Sequence, residues 1–296
     1  MTKTSLSRSP DQSAAQEPER KLSYIVPKPV QPAAAGTQKG INWKAFNAML
    51  ARDVHVARRS AVPLLLQTLL QPLLFVFIFG TVMTRSGLMP ESYKQVLLPG
   101  IVGLSMLTTG IQAVSMRLIM EFQFTREIED RLLAPMEIGW VAIEKVVAGM
   151  MQAMISGAVV LPAGWLLMGR HVGLTLAQPL AFIAILVLVA LFAACGGLAM
   201  GCSVGQTNIG LLFSLILLPV TMFGCVYYPW SALKSFPIMQ KLVLLNPLVY
   251  ASEGLRGTLA PSVPHMPLIV VIIVLAVADT GLIMLGLNRF YRKCIS

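Results

Sequence analysis

Charge is what this chain has least of. Only 12% of its 296 residues are Asp, Glu, Lys or Arg, while 56% are hydrophobic. A soluble domain carries about 25% charged residues. A water-exposed surface of this size could not be covered with so few charges, which excludes an ordinary soluble enzyme and points to a polytopic membrane protein.

Cysteine is scarce as well: Cys195, Cys202, Cys225 and Cys294, with no C-x-x-C pair. A disulfide scaffold, a zinc ribbon and a thioredoxin-like redox site are therefore excluded. Cys195, Cys202 and Cys225 lie in apolar stretches and read as buried free thiols. Cys294 has too few residues after it for a prenylation box. His55, His171 and His265 are too far apart for metal-ligand spacing. There is no G-x-x-x-x-G-K-[ST] phosphate cradle, no H-E-x-x-H, no G-x-S-x-G and no catalytic carboxylate pair within the apolar segments. Tandem interrupted spans of the secondary-transporter kind are not evident. The N-terminus has no apolar signal core, so no cleavage is expected.

Residues 1–40 contain Pro10, Pro18, Pro27, Pro29 and Pro32 among many Ser, Ala and Gln, without an apolar period. This composition reads as a disordered tail, with an excess of basic residues that suits an anionic membrane face. From residue 41 the character changes. Trp43, Phe46, Leu50, Val54 and Ala57 recur at helical spacing among Lys44, Arg52, Asp53, Arg58 and Arg59. An interfacial amphipathic helix is expected there.

Apolar segments follow at roughly 61–83, 96–119, 140–168, 177–203, 208–228 and 266–288. Each is near the ~20 residues that a helix needs to cross a bilayer. The fold expected is all-α, with about six transmembrane helices. If both termini lie in the cytoplasm, 17 Lys and Arg fall inside and 6 outside, the asymmetry that sets orientation.

Four features stand out. Residues 120–138 hold five of the chain's 13 acids, with Phe124, Ile128 and Leu132 on one helical face and Glu127 four residues before Arg131. Pro135 ends this segment. It reads as a short amphipathic helix offered to a partner, the alternative being a solvated connection. Residues 227–258 are too apolar for a free loop, yet Pro229, Pro237 and Pro247 interrupt them. Two short helices dipping into the outer leaflet are expected. Glu253 and Arg256 on the second are either a functional charge pair or a structural bridge. Ala193, Gly197, Gly201 and Gly205 form a small-residue ladder for close helix packing. Asp279 is the lone acid of the last apolar segment, read as a structural hydrogen-bonding group more readily than a proton or substrate contact.

In their order these pieces resemble the permease subunit of type-2 ATP-binding-cassette exporters. The motif N-P-L-x-Y-x-x-E-x-L-R is present as Asn246, Pro247, Leu248, Tyr250, Glu253, Leu255 and Arg256. The run at 126–146 looks like that family's cytoplasmic coupling segment. The resemblance covers about residues 41–293 and divides the chain into a 1–40 tail and a 41–296 transmembrane domain. It implies a transport subunit with no ATPase site of its own. It also implies a separate cytoplasmic ATPase that binds ATP and Mg, a second permease copy and a plasma-membrane location. No nucleic-acid partner is expected. Phe124, Arg126, Glu127, Ile128, Glu129, Asp130, Arg131 and Leu132 would couple to the ATPase. Tyr227, Pro229, Asn246, Pro247, Tyr250, Glu253 and Arg256 would form a re-entrant gate. Export of a small amphipathic molecule or drug, or of a lipid-linked glycan, is implied. The rival reading is a proton-coupled transporter using Asp279 and Glu253.

Overall fold

The computed structural model describes residues 43–59, 70–122, 138–169, 172–203 and 209–295, all within a compact unit that spans Thr37–Ser296. The described residues form helices and connecting turns, with no strand among them. In chain order the α-helices are α1 (Trp43–Arg59), α2 (Leu70–Arg85), α3 (Tyr93–Met120), α4 (Ile138–Met168), α5 (Pro179–Ser203), α6 (Ile209–Met222), α7 (Pro237–Leu242), α8 (Pro247–Leu259) and α9 (Leu268–Ile295). Four of these, α3, α4, α5 and α9, are long and apolar enough to cross a membrane. The chain is thus an all-α, multi-pass membrane protein.

The remaining two expected spans are shorter among the described residues. The start of the first, and the tail at 1–40, lie outside them. The fifth was expected to reach residue 228, but α6 stops at Met222. The chain leaves it through Gly224 and Cys225, whose φ of 51° is left-handed and incompatible with a continuing helix. Residues 76–82 of α2 form a π-helical stretch, which re-aims the side chains on either side of it.

Helix α3 is the centre of the bundle: 78% of its most apolar stretch is buried, against 17% for α9. It packs mainly on α5 and α4. Lipid tails are as apolar as leucine, so close packing and interhelical hydrogen bonds hold such helices together. Both are present. A Cβ on Gly197 would lie 2.7 Å from the Ile111 carbonyl, and one on Gly201 would lie 3.0 Å from the Ser115 backbone. The ladder of α5 therefore lets α3 approach backbone to backbone. Gly205 lies outside the described residues. Thr109 donates to the Ser156 hydroxyl at 3.0 Å and joins α3 to α4.

Helix α9 turns Val271, Leu275, Asp279 and Phe290 inward and leaves Ile269, Ile273, Val277 and Met284 exposed. Its last turns grip the end of α5: Arg289 donates to the Ser203 hydroxyl, and Lys293 donates to the Gly201 carbonyl at 3.3 Å.

Candidate functional site: two polar nodes at opposite ends of α3

The prolines of 227–258 start helices more than they break them. Pro229 is extended and leads into a 3-10 turn at Trp230–Ser235. Pro237 and Pro247 sit in the first turns of α7 and α8. There the missing N–H would have no intrahelical partner anyway. Asn246 caps α8, its side-chain oxygen accepting from the Leu248 amide at 3.0 Å. Its amide group also donates to the Val220 carbonyl at 2.7 Å, which ties α8 to α6.

Helix α8 is buried along most of its length and carries the first node. Glu253 and Arg256 are 1% and 0% exposed and pair at 2.5 Å. One Glu253 oxygen also accepts from the Trp230 amide at 2.8 Å, and the other from the Met266 amide at 3.0 Å. Arg256 donates to the Cys225 carbonyl at 3.0 Å and to the Val96 carbonyl at 3.2 Å. One ion pair thus fastens the first turn of α3, the left-handed residue after α6, the 3-10 turn and the segment leading into α9. Its charge-assisted bonds satisfy both partners, as buried charges require. Glu253 and Arg256 thus clip these segments together.

Aromatic rings lie next to the clip. Phe75 and Phe79 of α2 stack at 5.8 Å, and both lie against Tyr227, at 5.4 and 6.1 Å. The Tyr93 hydroxyl donates to the Tyr227 carbonyl at 3.0 Å. Tyr250 is half-buried on α8.

The second node lies at the other end of α3, roughly 38 Å away for 25 residues of helix. Lys145 of α4 is 2% exposed. Its ammonium donates to Glu121, just beyond α3, at 2.6 Å and to Asp53 of α1 at 2.8 Å, with Glu144 at 3.7 Å. Arg117 of α3 reaches the same Asp53 oxygen at 3.2 Å. Apolar contacts reinforce the junction: Phe46 of α1 meets Trp140 edge to face at 6.4 Å, and Phe122 meets Phe290 at 6.0 Å. Acids from α1 and from the end of α3 therefore converge on one buried lysine of α4.

Asp279 belongs to neither node. It is 2% exposed, and among the described residues neither of its oxygens has a hydrogen-bond partner. Among the described residues no cluster of His, Cys, Asp and Glu has the form of a metal site.

The structure thus places Tyr227, Pro229, Asn246, Pro247, Tyr250, Glu253 and Arg256 in one region. Phe124, Arg126, Glu127, Ile128, Glu129, Asp130, Arg131 and Leu132 lie outside the described residues. Sequence reasoning missed Asp53, Arg117, Glu121, Glu144 and Lys145 as a group, and Phe75, Phe79 and Tyr93 as neighbours of Tyr227. A signal for the first set was present: Glu144 and Lys145 are adjacent charges within an otherwise apolar span.

Bilayer-length helices, with charges gathered at two ends of a close-packed bundle, define a multi-pass membrane protein. Comparison with known families makes this specific. The family described as ABC-2 type transporter matches residues 44–260, and the chain belongs to it. It is a permease of the ABC transporter class, a non-catalytic transport subunit that works with a partner ATPase. Comparison with curated proteins gives no match.

Proposed function

We propose that this chain is the six-span permease of an ATP-driven exporter of the plasma membrane. Two copies pair, as a homo- or heterodimer, over two cytoplasmic ATPase subunits, and both termini lie inside. The division into a 1–40 tail and a 41–296 membrane domain belongs to the same reading, as does the interfacial role of α1. The observation that carries it is the family match across 44–260, which includes α1, the segment 123–137 and α8.

In this reading the permease makes and breaks no bonds. ATP-driven closure of the partner subunits displaces the coupling segment around Phe124–Leu132. The bundle converts that displacement into alternating access by rigid-body and shear motion. The Tyr227–Arg256 region gates the opposite side. The cargo is a small amphipathic molecule or drug in preference to a lipid-linked glycan. An apolar groove of about 380 Å³ between α3, α4 and α5, lined by Val102, Met154, Gly157, Phe182 and Leu186, suits the apolar part of either cargo. A proton-coupled mechanism through Glu253 is disfavoured, because both its oxygens already accept hydrogen bonds.

The test is purification with the co-isolated ATPase, followed by reconstitution into liposomes loaded with a fluorescent cationic amphiphile. ATP-dependent flux and a complex of two permeases with two ATPases are expected. Flux that follows a proton gradient and ignores ATP would overturn the reading.

A further inference from the structure

We propose that Lys145 is a positioning residue that clamps α1 to both helices flanking residues 123–137, so that all three move as one body. The inference rests on reading that segment as the ATPase-coupling element and specifies what its motion is attached to.

The geometry carries it. Glu121 is the residue after α3, and Lys145 lies in the second turn of α4, so the two bracket the segment in sequence and meet at 2.6 Å in space. Asp53, from the far side of the junction, reaches the same ammonium at 2.8 Å. A lysine ammonium has three donors and no acceptor, and here it faces carboxylates from two other elements, with Glu144 of its own helix at 3.7 Å. Arg117 duplicates the link between α3 and α1 at 3.2 Å. Helix α1 packs chiefly on α4. Its polar ties toward α3 are the Asp53–Arg117 pair and the Lys145 ammonium that Asp53 shares with Glu121.

A charged group this deeply buried cannot leave its partners without an uncompensated charge remaining behind. The α1–α3–α4 junction therefore resists separation when the coupling segment is pushed. The push passes instead into α3, the central helix, which runs to the Arg256 clip. A lysine placed only for stability would contribute to melting temperature and nothing else. A clamp sets how much transport each ATP yields.

The experiment uses the reconstituted complex with its ATPase and measures amphiphile transported per ATP hydrolysed. Lys145→Met should lower that ratio by about tenfold, in the range seen when coupling networks are cut. Lys145→Arg, which keeps the charge, should recover much of it. Asp53→Asn, which leaves the Lys145–Glu121 bond in place, guards against a folding failure of Lys145→Met and should lower the ratio in the same direction. Spin labels at Asn47 on α1 and Met151 on α4, both exposed, should keep one distance with and without trapped nucleotide in the parent protein. In Asp53→Asn that distance should broaden. An unchanged transport ratio in both Lys145→Met and Asp53→Asn, or a parent distance that shifts on trapping, would overturn the clamp. A control changing Glu127 and Arg131 to Ala separates the two claims. If it uncouples the complex while Lys145→Met and Asp53→Asn do not, the clamp fails alone. If it too leaves coupling intact, the coupling reading fails.

Discussion

The two polar nodes use the same chemistry for different ends. At the α8 end, a single Glu–Arg pair from one helix directs its bonds, apart from the one between the two, to backbone amides and carbonyls of distant segments. At the α1 end, the bonds run between side chains of different elements, centred on one lysine. Backbone partners are fixed by the fold and cannot be exchanged, so the first node is a lock. The second node joins side chains of separate helices, and in the clamp proposed above it makes those helices move as one body. The comparison teaches that burial of charge does not by itself tell structure from function. What the charge is bonded to does.

The comparison breaks most readily at the lock. Arg256→Ala strips two carbonyls of their donor and leaves Glu253 buried without its counter-charge. A cost of about 3–5 kcal/mol is expected, a large share of the ~5–15 kcal/mol that holds a typical domain together. The folded fraction after detergent extraction, read by fluorescence-detected size exclusion, should collapse. Arg256→Lys keeps the charge but lacks the planar fork that reaches Glu253, Val96 and Cys225 together, so it should fall between.

At the α1 end the expected effect is smaller and local. Asp53→Asn removes a charge-assisted bond worth about 1.5–3 kcal/mol while Lys145 keeps Glu121. Hydrogen exchange should quicken over residues 43–59 and stay unchanged in α3 and α5. If instead the whole bundle melts as it does for Arg256→Ala, both nodes are locks and the distinction is lost.

Between the nodes, Gly197→Leu should act on both alike. A side chain there meets the Ile111 carbonyl and the Val114 side chain. Overpacking of this kind costs about 1–3 kcal/mol. The melting temperature of the extracted protein is expected to fall without selective loss of α1. A selective loss would mean that the nodes are not joined through α3.

How far these features can be read from sequence depends on how local they are. The long spans were legible, because an apolar run of bilayer length has few other uses. The start of α8 is also written locally, in Asn246 and Pro247, which cap and open the helix from adjacent positions, although by sequence Pro247 reads as an interruption. The Glu253–Arg256 pair was visible as a helical i, i+3 spacing, but its role was not: the Val96 partner lies 160 residues away in the chain. The Lys145 node is less local still: nothing near it in the sequence shows that Asp53, 92 residues before it, folds against it. The approach of Phe75 and Phe79 to Tyr227 depends on a π-helical stretch that hydrophobic periodicity does not reveal.

The smallest effect falls on the residue that belongs to neither node. Asp279 sits on the inward stripe of α9 between Leu275 and Phe290, and both its oxygens lack partners among the described residues. A polar group buried without a hydrogen bond costs free energy. Replacing it with leucine, of similar size and apolar, should stabilise the bundle by about 1 kcal/mol. The melting temperature should rise slightly in Asp279→Leu while ATP-driven flux stays at the parent level. Should flux disappear while the protein melts normally, Asp279 would be part of the transport path. The division of labour between the two ends would then need a third, intramembrane participant.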